Sequence, residues 1–411
     1  MTTMIQLQRT VSVASFDIEA TLAIGRDRPE LLAVAQLARD LGRPIRGTDV
    51  ATQLLGRLPE HVGWRVIDRC LDLGLLARQD DRGPIILSEA GEAALATGSV
   101  LIPEEGTWRL FTIEDPLVTV PLVHFARLDP PRASDEREEL KNTPRDQKGR
   151  QRPPPSDPLS RALWECHRQG TVARSLAGGV PFQITDLPRD PKGARGPLGP
   201  LRLELTWTPG ALAVMHVRGA LPLPEARDPA RQGKRGQRDG HSVDTTLPLP
   251  DAIRGVPFDE LWFVLASYAG KVPITETREW FQRTGLRLLP TPFDGLDDNA
   301  RTALRRDLPV PQANLGPAFG TFDPTTLDGV DLVPRTDQDA ERWARWFQIK
   351  LLKDYVTPTT LERTNKEILA KFPHHAPQLV RPQELLNTAL KDPRAPHSRF
   401  LLAPADLGLW R

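Results

Sequence analysis

Adjacent histidine and cysteine residues and paired carboxylates are the places in this 411-residue chain where metal binding or proton transfer could arise. Cys166-His167 and His374-His375 are the closest such pairs. A structural zinc takes four tetrahedral ligands, and the whole chain has two Cys and eight His. Neighbours on a helix point about 100° apart, so neither pair grips one ion by itself. Asp297-Asp298 and Asp337/Asp339 stand at expected helix starts. There a carboxylate complements the positive end of the helix dipole, and capping accounts for both. A metal-dependent nuclease would want carboxylates and a lysine around a hairpin; Glu204 is on a suitable strand, but no lysine is near it. No G-x-x-x-x-G-K-[ST] loop and no G-x-S-x-G elbow occurs. Gly178-Gly179 and Gly193, Gly196 and Gly199 do not form the strand, G-x-G-x-x-G, helix arrangement. No catalytic residue, metal or cofactor is assigned, and a non-enzymatic role is the stronger expectation.

Charge offers a second kind of chemistry. Three stretches are locally basic: Arg145, Lys148, Arg150 and Arg152; Arg189, Lys192 and Arg195; and Arg227, Arg231, Lys234, Arg235 and Arg238. They are rich in Gly, Gln and Pro and hold no aromatic residue, so they offer no base stacking. Gathered on one face they would track phosphates without reading sequence; apart, they are solvated insertions between strands. The chain as a whole has 54 Lys and Arg against 53 Asp and Glu, a net charge of +1. Such a balance sets up no global field toward nucleic acid or an acidic membrane.

The elements that must position these residues can be read from periodicity. Residues 5–24 alternate loosely and predict one or two strands. From Pro29 the pattern turns helical, with Leu31, Leu32, Ala35, Leu37 and Ala38 as its stripe, and it stops at Gly42 and Pro44. A short second helix fits Thr48 to Leu55, capped by Thr48 or Asp49. Leu58-Pro59 opens a third, whose apolar face is Val62, Val66, Ile67, Cys70, Leu71 and Leu73, closed by Gly74. Leu75–Arg78 and Ile85–Leu87 flank turn chemistry, and Ser88 caps a further helix.

Three helices, a β-hairpin and a helix within residues 29–98 resemble a winged helix-turn-helix domain. The stretch LDLGLLARQDDRGPIILSEAGEAAL is similar to the helix, LGLL, wing, LTEAG pattern of bacterial regulators in that superfamily. The resemblance covers about a sixth of the chain. It implies a third helix that offers His61, Trp64, Arg65, Asp68, Arg69 and Asp72 to a DNA major groove, with Arg78 and Arg82 of the wing on phosphates. Charge argues otherwise: residues 29–98 hold eight Arg and ten Asp and Glu, whereas DNA binders usually carry a basic footprint. An exposed Trp64 beside Asp68 and Asp72 would equally suit a protein contact.

Proline, 41 of 411 residues, limits long regular elements downstream. Residues 129–158, charged and carrying Pro153-Pro154-Pro155, read as a linker or loop. Residues 159–335 lean to β-structure: Leu203, Leu205 and Trp207 alternate with Arg202, Glu204 and Thr206, and Thr208-Pro209-Gly210 predicts a hairpin. PFDELWFVLASYAG predicts a buried helix, and another is expected near Asp297–Arg306. Residues 336–411 turn helical. Thr336 starts a helix with Trp343, Phe347, Leu351 and Tyr355 in one buried stripe, and Thr359 with Glu362 predicts a capping box. Pro382 opens the next helix, and SRFLLAPADLGLW is expected to dock as a strand or turn.

The expected fold is thus α+β and multidomain. A winged-helix domain with flanking strands takes residues 1–128, the linker 129–158, a β-leaning proline-rich middle 159–335 and a helical C-terminal domain 336–411. The expected function is non-enzymatic DNA binding or DNA association through the winged helix and the basic loops. The alternative is a scaffold or adaptor subunit of a bacterial nucleic-acid-processing or phage-defence complex, with the winged helix docking on a protein. DNA is the first expected partner, then a partner protein or a second copy. No run of 18 apolar residues implies a membrane span, and MTTMIQLQRTVSVASF lacks the start of a secretory signal. With two cysteines, which make no disulfide framework, the expected location is cytoplasmic.

Overall fold

The computed structural model describes residues 4–80, 83–128, 158–187, 195–221 and 241–410. Helices and strands are interspersed along the chain, a mixed α+β composition. Two compact units form: Arg9–Glu204 with Val214–Pro250, and Met1–Gln8 with Leu205–Ala213 and Asp251–Arg411. This division differs from the consecutive segments expected along the sequence, because strand pairing joins residues near 200–250 to the first strand.

The first unit is organised by β1 (Ile5–Arg26), a 22-residue strand that begins in the second unit. Side chains alternate across a strand, and in β1 the buried set changes parity. Odd residues from Arg9 to Ser15 are buried, then even residues from Phe16 to Ile24. The pairing register runs unbroken through this point, from Val13↔Ile113 to Arg26↔Val100. No bulge is therefore involved; one strand serves opposite faces of the sheet in succession.

Between the paired positions Arg26 and Val100 the chain makes an excursion. It comprises α1 (Pro29–Leu41), α2 (Gly47–Gln53), α3 (Glu60–Asp72), the antiparallel pair β2 (Leu76–Arg78) and β3 (Ile85–Leu87), and α4 (Glu89–Thr97). Its boundaries follow local chemistry. Pro29 lies in the first turn of α1, and Gly42 ends that helix at φ 58°, a conformation glycine reaches without cost. Ser88 Oγ accepts from Gly91 N at 2.9 Å at the start of α4. Asp49, expected as a possible cap, sits instead in the first turn of α2 and accepts from the backbone of Arg46, the residue before it. Leu31, Val34, Leu37, Val50, Ile67, Cys70, Leu76 and Ile85 form one buried core. Each such aliphatic side chain contributes about 1.5–3 kcal/mol when fully buried.

β4 (Val100–Ile113), β5 (Leu122–Arg127), α5 (Pro158–Gln169), β6 (Ala173–Arg174), β7 (Pro181–Asp186), β8 (Arg195–Trp207), β9 (Val214–Leu221) and β10 (His241–Leu247) follow. The sheet order is β10-β9-β8-β1-β4-β5, with β7 also paired to β1 and β6 to β7. α5 arises where the sequence leaned to β-structure. Leu163 and Cys166, three residues apart, put it on the core of Phe16, Leu22, Trp108 and Phe182.

In the second unit α6 (Asp251–Arg254), α7 (Phe258–Gly270) and α8 (Ile274–Thr284) precede β11 (Leu288–Thr291), α9 (Asp298–Ala303), β12 (Arg305–Val310), β13 (Ala313–Asn314), β14 (Thr321–Phe322) and β15 (Thr325–Pro334). β11 lies parallel to β15, and β12 antiparallel. α7 is the expected buried helix; α8 is an addition to it. The helix expected over Asp297–Arg306 stops at Ala303, and Arg305 already begins β12.

α10 (Asp337–Lys350), α11 (Pro358–Leu369), α12 (Pro382–Lys391) and α13 (Ser398–Asp406) complete the chain. Three expectations fail here. α10 ends at Lys350, so the stripe begun by the buried Trp343 and Phe347 does not continue: Leu351 is exposed, and Tyr355 is 68% exposed. The capping box is Thr357 with Thr360, because Pro358 rather than Thr359 opens α11. Of SRFLLAPADLGLW, Ser398–Asp406 form helix α13, with Pro404 inside it, and only residues 407–410 are turn. Leu352, Val356, Leu361, Leu385, Leu386 and Leu401 make the local core.

Candidate functional site

α2 and α3 meet through glycine. A Cβ on Gly63 would lie 2.0 Å from the carbonyl oxygen of Gly47. The backbones therefore touch, and the connection between the helices is correspondingly tight. Gly56 and Arg57 both take left-handed φ, at 65° and 69°, and Arg57 N donates to Ala51 O at 2.9 Å. This turn leaves Leu54 39% and Leu58 48% exposed.

The close approach settles Trp64. The sequence reading has it exposed; instead it is half-buried, joins the module core, and lies over Gly47. Its Nε1 donates to Glu60 Oε1 at 3.1 Å. Trp64 follows Gly63 directly, so it turns toward α2 where glycine leaves room. Its indole thus packs over Gly47 against α2, while its Nε1 edge is tied to the exposed Glu60 on the outward face.

His61, Arg65, Asp68, Arg69 and Asp72 are exposed along α3. Arg78, on β2, reaches Asp68 at 4.0 Å in an exposed pair, an arrangement worth at most about 1 kcal/mol. Arg82 lies outside the described residues. The outward face of α3 thus presents Arg65 and Arg69 among Glu60, Asp68 and Asp72, and it alternates in sign. Arg43 and Asp49 add a fixed ion pair at the start of α2: Arg43 Nη2 donates to Asp49 Oδ1 at 2.7 Å, and Arg46 N donates to Asp49 Oδ2 at 2.9 Å. The Arg43 hydrogen bond holds the Asp49 carboxyl below its usual range.

Arg145, Lys148, Arg150, Arg152, Arg189, Lys192, Arg227, Arg231, Lys234, Arg235 and Arg238 lie outside the described residues, and Arg195 is placed only as the first residue of β8. Among the described residues no group of three or more His, Cys, Asp and Glu is arranged around a common metal position. Both cysteines are buried and free. Burial pushes the Cys70 thiol up to about 11 and the Cys166 thiol above its ordinary value. His375 is held between Asp337 at 2.8 Å and the carbonyl of Pro334 at 3.0 Å, which orients it structurally. A cleft of 370 Å³ in the second unit is lined by Trp262, Arg287, Arg305 and Asp331 among others. Its arginines are already engaged, Arg287 by Asp259 at 2.5 Å and Arg305 by the carbonyl of Gly329 at 2.6 Å.

Leu54 and Leu58 were not among the candidates read from sequence. Their signal was available: two leucines flank Gly56-Arg57 and belong to neither helical stripe. No helix among the described residues is long and apolar enough to cross a membrane. No family model, no curated protein and no solved structure matches the chain.

Proposed function

We propose that the chain is a non-enzymatic adaptor subunit of a nucleic-acid-processing assembly, in which α1–α4 act as a winged-helix module that docks on a partner protein. The observation that carries this reading is the surface around the α2–α3 turn. Exposed Leu54 and Leu58 stand beside an α3 face of alternating charge. An apolar centre with a mixed-charge rim suits a protein partner of matching pattern. Phosphate, in contrast, rewards net positive charge, and residues 29–98 hold more acidic than basic residues.

A photoreactive amino acid at position 58 or 65 of the full chain, introduced in its own cells, tests this. The docking reading expects position 58 to capture one discrete protein, with the yield falling in a Leu54→Glu background. Captured nucleic acid from position 65, with no protein from 58, would overturn it.

One observation favours the second reading, α3 in a DNA groove with β2 along the backbone. Arg65 and Arg69 are exposed, four residues apart, and make no ion pair among the described residues. That reading expects Arg65→Glu with Arg69→Glu to weaken duplex binding in fluorescence anisotropy and to flatten its salt dependence.

A further inference from the structure

Cations in the second unit are used in two ways. In its earlier part Arg278, Arg287, Arg335, Arg342 and Lys350 each hold a carboxylate at 2.7 Å or less. Beyond Lys350 the pattern stops. Residues 351–410 contain eight Lys and Arg against six Asp and Glu, and among the described residues none of these eight makes an ion pair with a carboxylate.

Several converge on the connection between α12 and α13. That connection is a built corner. Asp392 N donates to Thr388 O at 3.1 Å, and the buried Ser398 donates through Oγ to Asp392 O at 2.7 Å. Pro393 and Pro396 restrict it further. Lys391, Arg394 and Arg399 are exposed on it. The Arg399 guanidinium lies 4.6 Å from the Phe400 ring centroid. Phe400 in turn meets Tyr355 at 6.1 Å, edge to face, and its carbonyl accepts from Val356 N at 3.0 Å. Tyr355 thereby stands at the corner, mostly exposed, with Lys353 two residues before it. The carboxylates nearest in sequence, Asp354 and Asp392, are fewer than the four cations.

We propose that this corner binds single-stranded nucleic acid, with one base stacked on Tyr355 and the neighbouring phosphates held by Lys353, Lys391, Arg394 and Arg399. A cationic rim attracts any polyanion, but an exposed ring braced edge-on by a second aromatic residue presents a face to another π-system. Unpaired bases supply one; paired bases inside a duplex do not. The site lies outside the α1–α4 module and does not depend on what that module docks.

The test uses the full-length protein with labelled oligothymidylate in fluorescence anisotropy over a salt series, with matched duplex and poly-glutamate as competitors. Single strands are expected to bind more tightly than duplex. Tyr355→Ala should weaken binding about tenfold and Tyr355→Phe should leave it near wild type. Lys391→Ala with Arg394→Ala should make the salt slope shallower by about 1.4, two phosphate contacts on a single strand. Arg161→Ala on α5 serves as control. Bromodeoxyuridine cross-linking should map to Tyr355, a result that misfolding of a variant could not imitate. Equal affinity for duplex, equal displacement by poly-glutamate, or unchanged binding by Tyr355→Ala and by the Lys391/Arg394 double variant would each overturn the assignment. Failure here would leave the capture of protein at Leu58 unaffected, so the two proposals fall separately.

Discussion

Gly63 of α3 faces the carbonyl oxygen of Gly47 so closely that a methyl group on it would lie 2.0 Å from that oxygen. The approach decides the angle of the turn, the inward direction of Trp64 and the outward face of α3. Gly63→Ala gains about 1 kcal/mol of helix propensity. Overpacking against main chain costs more, about 1–3 kcal/mol and toward the upper end here, since backbone cannot rotate away. A lower urea midpoint by circular dichroism is expected. Gly47→Ala should cost less, because its Cβ would meet the Trp64 ring at 2.6 Å, and a side chain can shift. The reverse ranking would show that the crossing is looser than described.

Trp64→Ala separates packing from recognition. The indole is half-buried in the module core and bonded to Glu60, so its removal should cost about 2–3 kcal/mol, below the range for fully buried Trp. Trp64→Phe should recover most of that. Capture of a partner at position 58 should persist in Trp64→Phe under conditions where the variant is folded. Loss of capture without loss of stability would mean that Trp64 itself touches the partner.

Much of the module was legible because its signals are local. Pro29, Gly42, Gly74, Ser88 and the α3 stripe each act within one or two turns, and each marks its element. Trp64 misled because its helical position, between stripe residues, says nothing of Gly47, seventeen residues earlier, over which its ring lies. β1 was legible as a strand, yet its change of buried face at Ser15 and Phe16 depends on which layers cover the sheet. α5 and α8 were lost in a proline-rich segment read as leaning to β-structure, although proline at a helix start costs nothing. Tyr355 carried the opposite error. Spacing from Trp343 and Phe347 placed it in a buried stripe, but the helix ends at Lys350 and frees it. The candidate surface at the α12–α13 corner depends on that termination, which no residue between 343 and 355 announces as a Gly or Pro would.

Asp49 links the module to pH. Its carboxyl is held below the usual range, first by the Arg43 hydrogen bond and then by the backbone of Arg46. A carboxyl depressed in the folded state contributes stability that is present above its unfolded value and lost as pH falls through the folded one. The loss should therefore begin below about pH 4, the ordinary range of aspartate. Asp49→Asn should lower stability at pH 7 by about 1 kcal/mol, as for a weakened cap, and by less at pH 3. Parallel urea titrations of both proteins at the two pH values measure the difference. An equal deficit at both would mean that the charge on Asp49 contributes nothing.

Cys70 gives the complementary test at high pH. It lies 0% exposed in the module core, and burial raises its thiol to about 11; Cys166 is raised by the same cause. A thiol reagent acts on thiolate, so at pH 8 the folded protein should react at neither cysteine and the urea-unfolded protein at both. The sign of the stability effect follows from the raised value. Below the unfolded thiol's ordinary range both states are neutral and stability is unaffected. Above about pH 8.5 the unfolded chain loses its protons first, and the folded state weakens until the buried thiol itself ionises near 11. Cys70→Ala removes that dependence but opens a cavity, so it should be less stable at pH 7 and show a flatter decline from pH 9 to pH 10.5. Rapid labelling of Cys70 in the folded protein at pH 8 would instead mean that the α1–α4 core opens locally, and the docking surface proposed at the α2–α3 turn would then be a mobile one.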